Sequence, residues 1–225
     1  EAILVTGIGG TGVVTIGAIL AMAAHLEDKG CTTMDQTGLA QKGGAVTSHI
    51  RIAKTSADIH TVRLGIGSAT TILGCDMLVT ADGDCLSKIR QGETKIILNT
   101  HKAQTGEFTH KPDWKIPDEQ IVTAIGKLCG EDNLFTLGAA QIATALLGDS
   151  IATNMFVLGY AYQKGWIPIS QDAIMQAIEL NAVSVKMNQQ AFIWGRRAAF
   201  DLTKVQELAT PPQAADGSDR HREIS

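Results

Sequence analysis

Apolar positions recur along this chain with two periods, and the change from one to the other divides it into two halves. Residues 2–6 form a short apolar run broken by Gly7, and residues 12–26 then carry apolar side chains at helical spacing. The chain therefore opens strand, tight turn, helix. Residues 32–35 follow Gly30 at the separation a βαβ crossover needs. Residues 45–53 alternate, with Val46, Ile50 and Ile52 on one face and Thr47 and Arg51 on the other, which predicts a strand after a polar loop over 36–44. Further strands are predicted at 76–81 and 95–99, with a helix around 84–91 between them, and 104–117 reads as an irregular excursion.

Beyond Pro117 the period becomes helical, predicting helices over 118–129, 137–147, 153–164, 170–180 and 184–200. Ser170 caps the fourth, and Gly148 and Gly165 end two others. Two prolines and small or charged residues over 210–225 predict a flexible tail or linker, leaving 1–209 as one domain. Alternating strands and helices followed by helices alone imply an α/β fold. Its form is a Rossmann-like, mostly parallel sheet with helices on both faces and a helix-rich C-terminal half.

Composition narrows the partners more than the fold. With 44% hydrophobic and only 4% aromatic residues, small aliphatics dominate, which suits close packing of helix on sheet. A net charge of −4 supplies no basic field, so nucleic acid and an anionic membrane surface are excluded as main partners. The apolar stretch 13–24 contains Thr15 and Gly17 and falls short of the roughly 20 residues of a bilayer span, so it is a buried helix. No basic n-region or cleavage signal precedes it, which predicts a cytoplasmic protein. Cys31, Cys75, Cys85 and Cys129 are dispersed and predict reduced buried thiols, with neither a metal site nor cluster ligands. Opening directly on a strand at Glu1 suggests an excised fragment, though a processed N terminus would look the same.

Gly7-Ile8-Gly9-Gly10-Thr11-Gly12 has G-x-G-x-x-G spacing directly between the first strand and the first long helix. Glycines there let backbone turn sharply and approach a phosphate, while the helix start presents N–H groups and partial positive charge, and Thr11 adds a hydroxyl. The same glycines could equally serve only to pack helix on sheet. Asp35 stands at the end of the second strand, where a dinucleotide-binding domain holds a ribose, so an NAD(P)-dependent dehydrogenase is one alternative. Against it, Asp35 runs on into Gln36, Thr37 and the loop containing Gln41 and Lys42, unlike a simple adenosine-accepting turn. Lys42 suits a phosphate or carboxylate, or is a solvated loop lysine. Ser48 and His49 follow on a strand, where a satisfied half-buried histidine is the plainer reading. The sequence supplies no obvious partner for His49.

Some constellations fail on inspection. Asp82-Gly83-Asp84 with Asn99 bears a faint likeness to a magnesium and thiamine diphosphate motif but lacks its second glycine and its spacing. No nucleophile elbow surrounds Ser48 or Ser68. Met155, Phe156, Tyr160 and Trp166 are core or interface packing.

Gly7 to Gly12, the run Thr37-Gly38-Leu39-Ala40-Gln41-Lys42-Gly43-Gly44-Ala45-Val46 and Ser48-His49-Ile50-Arg51 together resemble the gamma domain of the 2-oxoacid:ferredoxin oxidoreductases, in the indolepyruvate branch. The likeness continues through Leu73-Gly74-Cys75-Asp76, Asn154 to Gly159, and Asn188-Gln189-Gln190-Ala191-Phe192 with Gly195-Arg196, covering about residues 2 to 200. The resemblance implies part of a thiamine diphosphate-dependent enzyme that oxidatively decarboxylates an arylpyruvate to an acyl-CoA and passes electrons to ferredoxin. It places thiamine diphosphate, Mg and 4Fe-4S clusters in other domains or subunits, and leaves this domain no catalytic residue of its own. Its expected role is to close the site and help bind CoA, inactive alone and dimeric in the assembly. Carried over residue by residue, Gly9, Gly10, Thr11 and Gly12 would meet the coenzyme A diphosphate and Lys42 a phosphate. Gln36, Thr37, Gln41, Ser48 and His49 are secondary candidates.

Overall fold

The computed structural model describes residues 1–38, 44–100 and 118–210. Four strands run parallel and adjacent: β1 (Ala2–Ile8), β4 (Thr71–Gly74), β5 (Lys95–Asn99) and β6 (Leu134–Leu137). On the other side of β1 lies β3 (Ala45–Ala53), antiparallel to it, and β2 (Gly30–Thr37) forms the edge, antiparallel to β3. The order β2-β3-β1-β4-β5-β6 makes the sheet mixed and mostly parallel, as the pattern predicts. It differs from a simple dinucleotide fold in one respect. After α1 (Val13–Leu26) the chain does not return beside β1, because β3 occupies that place.

Side-chain alternation in the strands builds one core on each face. Ile3 and Val5 of β1 and Val46, Ile50 and Ile52 of β3 face Ile16, Ile19, Leu20 and Ala23 of α1. Helices α6 (Thr153–Gln163), α7 (Gln171–Asn181) and α8 (Val185–Phe200) complete this larger core. Ala2 and Leu4 face the other way and join Ile72, Ile96 and Leu98 beneath α3 (Gly83–Ser87) and α4 (Asp118–Cys129). Each fully buried aliphatic side chain contributes about 1.5–3 kcal/mol, so these two layers carry the fold.

One expectation is corrected and further elements are added. Residues 76–81 are not a strand: Asp76 accepts the Val79 N–H at 2.9 Å and starts the short helix α2 (Met77–Thr80). The strand is the preceding run Thr71–Gly74. The helix predicted over 137–147 forms as α5 (Ala139–Leu147), and the strand β6, which the pattern did not predict, ends just before it. A further helix, α9 (Leu202–Ala209), follows α8, its N terminus capped by Asp201, which accepts the Lys204 N–H at 3.0 Å. Gly148 and Gly165 do end helices with positive φ, and Ser170 caps α7 by accepting the Ala173 N–H at 3.2 Å. Met155 and Phe156 lie in the core, which removes them from any dimer surface.

Candidate functional site: the glycine turn

The turn between β1 and α1 is closed by its own hydrogen bonds. The Ile8 carbonyl accepts from the Thr11 N–H at 3.2 Å and from the Thr11 hydroxyl at 2.7 Å. The Thr11 hydroxyl proton is thus engaged in holding the turn. Asn154 of α6 donates its amide to the Thr11 carbonyl at 2.7 Å, and the Gly9 N–H donates to the Gly44 carbonyl at 2.8 Å.

The glycines serve different purposes. A Cβ at Gly7 would stand 2.6 Å from the Val13 side chain, so that position is set by packing. At Gly9 a Cβ would crowd the Gly44 carbonyl at 3.4 Å. Gly10 and Gly12 have φ of +86° and +91°, which L side chains rarely adopt. Among the described residues, Gly10 alone of the four fronts open space, with nothing within 4 Å of a Cβ. Among the described residues the N–H groups of Gly10, Gly12 and Val13 have no partner, and they sit at the positive end of a 14-residue helix.

This turn lies at the switch between β1 and β4, where crossovers leave the sheet in opposite directions and ligands of open α/β sheets bind. Cys75, just past β4, approaches it: a Cβ at Gly7 would lie 3.5 Å from the Cys75 Cβ. Burial first, and the neighbouring Asp76 second, push the Cys75 thiol far up, so it is an inert wall and not a nucleophile. A cleft of about 50 Å³ opens beside the turn, lined by Gly12, Thr15, Asn154, Ser184 and Asn188 among others. It has room for a few waters or a small anion. Asn154 and Asn188 enter the sequence reading only through the resemblance, because periodicity does not signal that α6 and α8 start beside α1.

The predicted residues separate into groups. Ser48 is buried against α1, where a Cβ at Gly17 would be 2.9 Å from its Oγ, and its hydroxyl has no partner among the described residues. Asp35 pairs with Ser48 across the strands and stands 3.8 Å from that same Cβ position, so it meets the second turn of the helix. With β3 between β1 and β2, the adjacency on which the nicotinamide alternative rests is not formed. Gln36 and His49 occupy the opposite face. Fully buried His49 accepts the Leu64 N–H at Nδ1 (3.2 Å), so Nε2 carries the proton and donates to Gln36 Oε1 at 2.9 Å. Burial, then Arg63 and Lys88, lower its pKa, opposed by Asp84. His49 thus has the partners the sequence did not reveal, and it is a satisfied core histidine. Thr37 is exposed at the sheet edge opposite Val46. Gln41 and Lys42 lie outside the described residues.

Among the described residues no three His, Cys, Asp or Glu side chains gather where they could hold a metal ion, and no helix is long and apolar enough to cross a membrane. Comparison with known proteins agrees with the fold. The chain is 28% identical over 207 residues to the indolepyruvate oxidoreductase subunit IorB of Archaeoglobus fulgidus, covering 88% of this chain and 98% of that one. Against its counterpart in Methanothermobacter thermautotrophicus identity is 27% over 201 residues, with coverage of 88% and 97%. The keto/oxoacid ferredoxin oxidoreductase gamma subunit of Geobacter sulfurreducens superposes with a TM-score of 0.60 at 20% identity, covering 89% of this chain and 98% of that one. The 2-oxoglutarate:ferredoxin oxidoreductase of Magnetococcus marinus, solved with 2-oxoglutarate, coenzyme A and succinyl-CoA bound, superposes at 0.62 and 17% identity. There the match covers 90% of this chain and 31% of the other. The pyruvate ferredoxin/flavodoxin oxidoreductase model matches residues 2–198, and the chain belongs to that family.

Proposed function

We propose that this chain is a non-autonomous, cytoplasmic subunit or domain of an indolepyruvate (arylpyruvate) ferredoxin oxidoreductase. In this reading the glycine turn receives the diphosphate of coenzyme A and the chain helps to close the active site. Thiamine diphosphate with Mg, and the 4Fe-4S clusters that deliver electrons to ferredoxin, belong to other domains or subunits. The observation that carries the reading is Gly10: a positive φ and, among the described residues, open space in front of it and partnerless N–H groups beside it at a helix start. Those features suit a phosphate oxygen.

Coenzyme A would supply the thiol that carries the acyl group away. The chain's own residues would anchor and orient it: backbone N–H groups on the diphosphate, Lys42 as a point charge, Asn154 keeping the turn in shape through the Thr11 carbonyl. The test is coenzyme A dependence of 2-oxoacid turnover in the whole enzyme. Gly10→Val and Lys42→Ala are each expected to raise KM for coenzyme A roughly ten- to hundredfold, equivalent to about 1.4–2.8 kcal/mol of lost binding. Unchanged coenzyme A dependence in both variants overturns the assignment.

A further inference from the structure

The face of α8 and α9 turned away from the sheet carries a second feature unrelated to the glycine turn. Ile193, Trp194, Arg196, Arg197, Phe200 and Leu208 line part of a groove of about 580 Å³. A second hollow of about 380 Å³ shares Ile193, Trp194 and Arg197 and continues it to Gln189 and Met175. From Gln189 to Phe200 the helix alone spans about 17 Å. Phe200 is 86% exposed and Leu208 60%, the former higher than any other large apolar side chain among the described residues except its equal, Ile66.

Charge along this groove runs against that of the chain. Among the described residues three cations, Arg196, Arg197 and Lys204, line it with a single carboxylate, Asp201, which is engaged in capping α9, while the whole chain is −4. Among the described residues none of the three cations has an ion-pair partner. Two are held in place by other means. The Arg197 guanidinium lies 4.7 Å from the Trp194 ring centroid, and Arg196 donates to Gln163 and Gln171. An exposed phenylalanine and a half-buried tryptophan flanked by fixed arginines are the residue types that dominate buried protein contacts.

We propose that this groove seats an amphipathic helix with acidic flanks from another subunit of the oxidoreductase. The proposal rests on the reading of this chain as one part of a larger enzyme. A small ligand fits the geometry poorly, because small-molecule sites enclose most of their occupant and here Phe200 projects into solvent. A second copy of this chain fits poorly as well. A two-fold contact through the groove would bring Arg196, Arg197 and Lys204 against their own symmetry mates. An apolar stripe from another subunit would cover Trp194, Phe200 and Leu208, and carboxylates along its edges would meet the cationic rim.

The test uses the purified whole enzyme with a benzophenone photocrosslinker in place of Phe200. The expected product joins position 200 to one segment of another subunit that contains both apolar and acidic residues. Products confined to this chain, to a second copy of it, or no protein product overturn the proposal. In parallel, Arg197→Glu with Lys204→Glu is expected to weaken association with the other subunits about tenfold or more, while Lys127→Glu, exposed on α4, leaves it unchanged. Equal association in the two cases likewise overturns it, provided circular dichroism confirms the fold. Coenzyme A dependence of the Gly10→Val enzyme is read separately, so failure of the groove leaves the glycine-turn assignment intact, and the reverse.

Discussion

Gly159 of α6 and Gly195 of α8 sit against one another's helices reciprocally: a Cβ on Gly159 would overlap the Phe192 carbonyl, and one on Gly195 the Phe156 carbonyl. The two backbones touch, which is how Phe156 and Phe192 both become fully buried. Alanine would raise helix propensity by about 1 kcal/mol, but the obstruction is backbone on both sides and cannot rotate away. Gly195→Ala is expected to destabilise by about 2 kcal/mol or more net, roughly 4–8 °C in Tm for a chain of this size. Thermal unfolding followed by circular dichroism decides it, and an unchanged Tm would refute the contact.

Gly7 and Val13 form a similar pair at smaller scale, with 2.6 Å between the Cβ position and the Val13 Cγ2. Gly7→Ala should cost about 1–3 kcal/mol. Adding Val13→Ala should restore part of that loss, giving a favourable coupling energy in a double-mutant cycle. Strict additivity would mean that Gly7 is required for some other reason.

Asn154 ties α6 to the glycine turn through the Thr11 carbonyl. Asn154→Asp removes the donor and brings a carboxylate beside both a carbonyl and the proposed anion position. Stability should fall by about 1–3 kcal/mol, and binding of coenzyme A should weaken, more at low than at high salt. A stable variant with wild-type affinity would separate Asn154 from the site.

Ser48 has a buried hydroxyl without a partner among the described residues. Ser48→Ala is therefore expected to leave Tm unchanged or raise it by a degree or two, in contrast to most core changes. A clear loss of stability, or of coenzyme A affinity in the whole enzyme, would give Ser48 a role that its surroundings do not.

His49 titrates below its ordinary value because burial and the nearby Arg63 and Lys88 disfavour the cation. The unfolded chain then binds the proton more readily than the folded one. The stabilisation is complete above about pH 6.5 and is lost as pH falls through the lower folded pKa. Denaturant unfolding at pH 7.5 and 5.5 should register this loss. It should be smaller in His49→Gln, and an identical pH dependence in the variant would contradict the assignment.

How far the sequence is informative varies from residue to residue. The alternation of Val46, Ile50 and Ile52 against Thr47 and Arg51 is observed in β3, since strand period and burial on one face are locally encoded. Likewise Gly148, Gly165 and Ser170 mark helix ends by local backbone and capping chemistry. Residues 76–81 mislead because their apolar content suits a strand, while the Asp76 carboxylate capping Val79 makes them helical. β6 is hidden because its four residues run straight into an apolar helix. Asp35 and His49 are adjacent to the motif in sequence, yet strand order and pleat carry them away from it.

By itself, the sequence determined the α/β class, the glycine turn at a helix start and the family resemblance, because these depend on short-range periodicity, backbone freedom and contiguous motif residues. Only the tertiary structure decided that β3 stands between β1 and β2, that Asn154 reaches Thr11 across 143 positions, and that Gln36 and His49 face away from the turn. Those outcomes depend on which strand pairs with which and which helices touch. Packing of the whole chain selects such partners, and no local pattern encodes them.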